Sequence, residues 1–196
     1  MDCTPIFKNL VEASRKNNLL DDKTISAVLL KIAEAAEKQC ELILTENKKD
    51  LDRMDKNDPK YDRLLLSKER ISGIASDIRN VASLPSPLNK IMDESVQPNG
   101  LLIKKITVPF GVIGIIYEAR PNVTFDVFAL CFKSGNACVL KGGSDAIYSN
   151  TAIVKIIKEV LIDSGIDENV IALLPVGREE AAQLMNAHGY VDLIIP

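Results

Sequence analysis

Two short blocks of this sequence combine residue types that act on anions and acyl groups. The first, Glu118-Ala119-Arg120-Pro121-Asn122, sets a carboxylate, a guanidinium and a carboxamide directly after an apolar run. A guanidinium holds a carboxylate or phosphate through two parallel hydrogen bonds. A carboxamide N–H stabilises an oxyanion. The same residues also read as an Arg–Glu surface pair on a turn shaped by Pro121. The second block, Lys141-Gly142-Gly143-Ser144-Asp145, follows another apolar run. Paired glycines let a backbone approach a ligand closely, a following helix would aim N–H groups at an anion, and Lys141 adds a point charge. The spacing is neither G-x-G-x-x-G nor G-x-x-x-x-G-K-[ST]. A glycine turn with Ser144 or Asp145 as helix cap explains it too.

Other reactive types carry less. Pro175-Val176-Gly177-Arg178-Glu179-Glu180 reads as a helix start with acids in its first turn. Cys3, Cys40, Cys131 and Cys138 form no C-x-x-C pair, and His188 is the only histidine. A zinc site or a Cys–His pair is therefore unsupported. Cys131 lies in a helical pattern and Cys138 in a strand pattern, which reads as buried, inert thiols. His188, before Gly189, reads as a residue near a helix end.

The elements that must position these blocks divide near residue 90. Thr4-Pro5 reads as a helix cap with proline in the first turn. Asp21 and Asp22 offer a second cap. The spacing of Ile25, Val28, Leu29, Ile32, Ala36 and Ile43 predicts one long amphipathic helix. A short charged helix or turn follows to about Asp58-Pro59. Ser67 caps a further helix with the stripe Ile71, Ile74, Ile78 and Val81, ended by Pro85 and Pro87. Gln97-Pro98-Asn99-Gly100 then marks a turn between two extended stretches. Val108–Tyr117, Ala137–Leu140, Val170–Leu174 and Val191–Ile195 are apolar runs suited to strands buried on both faces, with helical patterns between them. This alternation predicts consecutive βαβ units and a parallel sheet. Ligands of such sheets bind beyond the carboxyl ends of the strands, where both blocks fall.

The chain has 196 residues, 46% hydrophobic and 26% charged, which excludes wholesale disorder. Its net charge is −3, and basic residues alternate with acidic ones, so no nucleic-acid stripe is formed. The longest uncharged run, Ile106 to Tyr117, is far short of the ~18–20 apolar residues of a membrane span. No signal peptide is visible at Met1-Asp2-Cys3, and reduced thiols fit a cytoplasmic chain.

The run Val108-Pro-Phe-Gly-Val-Ile-Gly-Ile-Ile-Tyr-Glu-Ala-Arg-Pro-Asn122 resembles the γ-glutamyl phosphate reductase family, also called glutamate-5-semialdehyde dehydrogenases, of the aldehyde dehydrogenase superfamily. Ser134-Gly135-Asn136 with Val139-Leu140-Lys141-Gly142-Gly143 resembles its next block, and Val191–Pro196 a third. Asn47-Lys48-Lys49-Asp50-Leu51, Arg70-Ile71 and Val81-Ala82-Ser83-Leu84-Pro85 are similar to the family upstream.

The resemblance implies an aldehyde-dehydrogenase-like α/β fold. N-terminal helices (1–90) would precede an extended hairpin or linker (91–107) and a mostly parallel Rossmann-like sheet with helices on both faces (108–196), stopped after its fourth strand. It implies NADPH-dependent reduction of L-glutamate 5-phosphate to L-glutamate 5-semialdehyde and phosphate, a step of proline biosynthesis. By the same likeness Lys141 would contact the adenosine ribose of NADP(H) or its 2′-phosphate, and Gly142, Gly143 and Ser144 would line that groove. Asn122 approximates the superfamily's oxyanion-holding asparagine. Arg120 and Glu118 would shape the site near the acyl group or pyrophosphate. The nucleophilic cysteine is expected beyond Pro196, since none of the four thiols stands in its context and family members are about twice this long. The chain alone is thus expected to lack turnover. The expected partners are a small-molecule substrate, glutamyl 5-phosphate, and further copies of the chain, with no nucleic acid and no membrane. A sheet stopped after four strands would expose an apolar edge and favour association. A non-catalytic nucleotide-binding or oligomerisation module is the alternative.

Overall fold

The computed structural model describes residues 1–196. Helix α1 (Thr4–Asn17) starts one residue earlier than its sequence cap suggests. Cys3 occupies the cap position, no side chain caps the helix, and Thr4 instead donates its N–H to Asp2 at 2.9 Å. Helix α2 (Asp22–Lys38) is capped by Asp21, which accepts the Thr24 N–H at 2.8 Å. It buries Ile25, Val28, Leu29, Ile32, Ala33 and Ala36 along one face.

The single long helix expected as far as Ile43 does not form. The chain breaks at Gln39 (φ −98°, ψ 21°), and α3 runs from Cys40 to Leu51. The break lets two successive stripes serve two partners, because α2 packs mainly on α5 and α3 on α7. After the one-turn α4 (Tyr61–Leu64), Ser67 caps α5 (Lys68–Ser83) by accepting the Arg70 N–H at 3.2 Å. Leu84, extended before Pro85, ends that helix.

Strands β1 (Ile91–Val96) and β2 (Leu102–Ile106) form an antiparallel hairpin, with Gly100 at φ +84° in the connecting turn. The second sheet contains β3 (Val112–Ile116), β4 (Ala137–Lys141), β5 (Ile171–Leu173) and β6 (Leu193–Ile195). All its pairings are parallel, in the order β5-β4-β3-β6. Helices α6 (Pro121–Lys133), α7 (Ile147–Asp163) and α8 (Arg178–Met185) connect the strands in turn. The strand order reverses at β3, so the switch point lies between β3 and β6.

Two strand expectations change. The run Val108–Tyr117 yields a strand over Val112–Ile116 alone, with Val108 and Phe110 exposed. Asp192 fixes where pairing begins by accepting the Val112 N–H at 2.8 Å. Gly111 just before it has φ +123°, and a side chain there would overlap the Asp192 carboxylate. Strand β6 is half exposed rather than buried on both faces, because it is an edge strand.

One continuous apolar core joins α1, α2 and α5 to the sheet and to α6 and α7. Lys133, buried near the end of α6, locks this arrangement. Its ammonium donates to Asp22 at 2.7 Å, Ser26 at 2.9 Å and the Ala82 carbonyl at 3.1 Å. All three donors are used, which a buried ammonium requires.

Candidate functional site

Both chemistry-bearing blocks emerge at the carboxyl ends of neighbouring strands. Tyr117 and Glu118 follow β3, and Lys141 closes β4. The two ends are tied together, since Tyr117 donates its N–H to the Lys141 carbonyl at 3.1 Å.

The β3–α6 block opens onto a cleft of about 380 Å³. Arg120 and Asn122 line one side, and residues of α4 and α5 the other, among them Arg63, Arg70 and Asp77. Arg120 is exposed and precedes α6, whose first turn contains Pro121. Asn122 is half-buried and donates its amide to Asp126, one turn along α6, at 3.2 Å. Burial raises the Asp126 carboxyl above its ordinary value; the Asn122 bond opposes this and the charge of Asp77 adds to it. Glu118 does not line this cleft. It is exposed beside Lys60, whose ammonium stands 3.7 Å from Glu118 and 3.9 Å from Asp145. The structure therefore groups Arg120 with Asn122, and places Glu118 with the second block.

That second block borders a recess of about 140 Å³ lined by Gly142, Gly143, Asn150, Thr151 and the strand-end residues Leu173–Val176. Lys141 is buried and donates to the Gly142 carbonyl at 3.2 Å. Ser144 enters a 3-10 turn, and its carbonyl accepts from Arg53 at 3.4 Å. Neither Ser144 nor Asp145 caps the helix, contrary to the local reading. The cap comes from α3. Asp50, fully buried, accepts the Tyr148 N–H at 3.1 Å, the Ser149 N–H at 2.8 Å and the Ser149 hydroxyl at 2.6 Å. Those helix N–H groups are thus occupied by a protein carboxylate, not held open for a ligand. Asn47 braces the same junction, donating to the Leu64 carbonyl at 2.8 Å and Ser149 at 3.0 Å and accepting the Leu66 N–H at 2.9 Å.

The glycine pair also serves packing. A Cβ on Gly142 would lie 2.5 Å from the Asn150 Nδ2, and one on Gly143 would lie 3.4 Å from the Glu118 Cα. Asn150 is 1% exposed and ends a polar chain: the Tyr117 hydroxyl meets Thr124 at 2.7 Å, and Thr124 donates to Asn150 Oδ1 at 3.0 Å. Burial pushes the Tyr117 phenol far above its ordinary value, so it remains a neutral group here. The Asn150 Nδ2 has no acceptor. Asn150 lines the recess but its unpaired amide nitrogen is buried, and the buried Lys141 ammonium lies next to the recess without lining it.

No thiol serves either cleft. Cys3, Cys131 and Cys138 are buried, Cys40 is half-buried on another face, and all four are free. Contact with Cys131 and burial hold the Cys138 thiol well above its usual value, which keeps it protonated and inert. His188 lies in the turn after α8 and lines neither cleft.

Residues 13–195 match the aldehyde dehydrogenase family. The chain belongs to that family. Similar relatives include the γ-glutamyl phosphate reductases of Bacteroides fragilis, 59% identical over all of this chain and 47% of that protein, and of Chlorobium phaeobacteroides, 60% identical over 97% of this chain and 46% of that protein. The chain spans about half the length of the curated relatives it matches. Among solved structures, the γ-glutamyl phosphate reductase of Thermotoga maritima aligns with a TM-score of 0.96 at 32% identity, over 100% of this chain and 48% of that one. The Saccharomyces cerevisiae γ-glutamyl phosphate reductase aligns at 0.89 with 27% identity, over 100% of this chain and 51% of that one.

Within this aldehyde dehydrogenase fold, several residues near the clefts escaped the reading of the sequence. Asn150 sits inside a helical pattern, where nothing local separates an orphaned donor from a solvated amide. Asp77 and Asp126 lie on different helices. Asp50 was visible in a block resembling the family, but its partners are about 100 residues away in sequence. None of these has a local signal; each depends on contacts between distant segments.

Proposed function

We propose that this chain acts as the cofactor-holding part of a γ-glutamyl phosphate reductase, in NADPH-dependent reduction of L-glutamate 5-phosphate to L-glutamate 5-semialdehyde and phosphate in the cytoplasm. The observation that carries this reading is the pair of clefts bordered by the blocks that follow β3 and β4. One presents Arg120 and Asn122; the other is lined by Gly142, Gly143 and Asn150, with the buried Lys141 next to it in sequence. Identity of 59% over the full chain with a protein named for this activity supports it.

The family uses nicotinamide cofactors, and one neighbour of the same fold is an NAD-dependent benzaldehyde dehydrogenase. A reduced nicotinamide would supply the hydride. Lys141 would hold ribose or 2′-phosphate oxygens as a point charge, with Gly142, Gly143 and Ser144 along that groove. Arg120 would hold an anionic group of the substrate, and Asn122 would stand near the acyl oxygen. Glu118, with Lys60 beside it, would border the cofactor side rather than the acyl group. The thiolate that the reaction requires lies outside these residues, because no cysteine here reaches a cleft. Turnover by this chain alone is not expected.

Titrating the 196-residue chain with NADPH and NADH in a thermal-unfolding assay tests the reading. At about 100 times the dissociation constant, a bound cofactor stabilises the fold by about 2.7 kcal/mol. Stabilisation by NADPH that Lys141→Ala abolishes supports the reading; no stabilisation by either nucleotide overturns it. A second reading, an association module, is favoured by the β1–β2 hairpin, whose residues are all exposed. Light scattering at high concentration checks it, and a strictly monomeric chain sinks it.

A further inference from the structure

Two buried polar groups near the recess are under-used, and both meet Gly142. Lys141 is buried, and its ammonium has one acceptor, the Gly142 carbonyl at 3.2 Å. Lys133, buried likewise, uses all three of its donors. Asn150 is 1% exposed, and its Nδ2 has no acceptor. That amide stands against the same glycine, since a Cβ on Gly142 would lie 2.5 Å from Nδ2. Buried donors are normally paired, so an orphan this close to a peptide unit calls for a physical reason.

The peptide between Gly142 and Gly143 can supply the missing acceptor. Gly142 enters none of the backbone hydrogen bonds of the turns and loops. Both glycines line the recess of about 140 Å³, which leaves them room to turn. Gly143 stands at φ −72° and ψ 163°, and a Cβ there would make an ordinary contact, at 3.4 Å, with the Glu118 Cα. The turn in place therefore tolerates a side chain at 143. Rotating the peptide carries the φ of Gly143 to positive values, which glycine adopts freely and other residues resist. The rotated turn, not the one in place, is what calls for glycine at 143.

We infer that Asn150 is a positioning residue for Lys141: a flip of the peptide between Gly142 and Gly143 passes the Gly142 carbonyl from the Lys141 ammonium to the Asn150 Nδ2, and frees the ammonium for a phosphate-bearing nucleotide. One hydrogen bond replaces another, so the flip loses none. The contact between ammonium and phosphate is made in the rotated state alone and drives the change. Thr124 holds the Asn150 Oδ1 at 3.0 Å, with the Tyr117 hydroxyl behind it at 2.7 Å, and this chain keeps the amide aimed at the glycine. The inference rests on the proposed reductase reading, which gives Lys141 to the cofactor, and adds how that lysine is held in reserve.

The test follows the Asn150 side-chain amide by NMR in the ¹⁵N-labelled chain as NADPH is added; its signals are those missing from Asn150→Asp. They should move downfield on saturation, because Nδ2 gains an acceptor without touching the nucleotide. Gly143→Ala should bind NADPH about tenfold more weakly, the scale of one side chain forced to positive φ. Its urea midpoint without nucleotide should match the parent or rise. A merely structural role for Gly143 would lower that midpoint instead. Adenosine, which has base and ribose but no phosphate, should bind both chains alike. Asn150 signals unmoved in the saturated parent, a lowered midpoint or parental NADPH affinity in Gly143→Ala, or equal weakening of both probes each overturns the inference and leaves the reductase reading standing. A parent chain that does not bind NADPH overturns both.

Discussion

The molecule contains two sheets that draw on similar residues and meet opposite fates. Strands β3 and β4 are buried along nearly their whole length, in register from Val112↔Ala137 to Ile116↔Lys141. Strands β1 and β2 carry Ile91, Met92, Val96, Leu102, Ile103 and Ile106, yet every residue of both is exposed. The parallel sheet has helices to cover it, and its apolar side chains leave water. The hairpin is a two-stranded ribbon that packs mainly against itself. It is held by its turn and by cross-strand pairs such as Glu94–Lys104 at 3.1 Å. An apolar side chain stabilises a strand only when something covers it, so apolar residues in both sheets do not bring equal energy.

Substitution in the two sheets should expose this difference most strongly. Leu140→Ala, fully buried in β4, should lower unfolding free energy in urea by about 3 kcal/mol, because it leaves a cavity in a packed core. Ile103→Ala in the hairpin should cost less than about 0.5 kcal/mol in the same experiment. A hairpin loss as large as the core loss would break the comparison and mean that the hairpin is covered in solution. Next in size, Asp50→Ala should cost about 2 kcal/mol, since buried N–H groups of α7 lose a charged acceptor. It should also weaken NADPH stabilisation by loosening the turn at Gly142–Ser144. Unchanged urea midpoints would show that water replaces the carboxylate. Smaller again, Glu94→Ala should cost no more than about 0.5 kcal/mol, because its ion pair is solvated.

The smallest effect concerns pH. The native carboxyl of Asp126 is raised above its ordinary value of 3.8. Its contribution is therefore fully present below that value and lost as pH rises through the native one. Asp126→Asn removes this loss. The variant should gain on the parent chain as pH climbs from below 4 towards neutrality, read as a widening gap in urea midpoints. A gap that narrows would reverse the sign assigned to burial of the Asp126 carboxyl.

Periodicity and capping made much of the fold legible. The stripes of α2 and α5 and the caps at Asp21 and Ser67 form as their spacing predicts. So do the turn at 97–100 and four successive parallel strands. The break at Gln39 was not legible, since an unbroken stripe fits one helix as well as two that part to reach α5 and α7. The clefts were half legible. Arg120, Asn122, Lys141 and the glycines stand out by type and by place after a strand. Asn150, Asp77 and Asp126 do not, because an unpaired charge or an orphaned amide is a property of its surroundings.

By itself the sequence determined the alternation of strands and helices, because hydrophobic period and proline, glycine and cap positions act over a few residues. It also determined which residue types stand at the strand ends. Tertiary structure alone decided which of them meet. It assigned the cap of α7 to Asp50, closed Gly142 over Asn150, separated Glu118 from Arg120 and set Asn122 against Asp126. These outcomes follow from burial and from electrostatics between segments distant along the chain, and local spacing has no term for either.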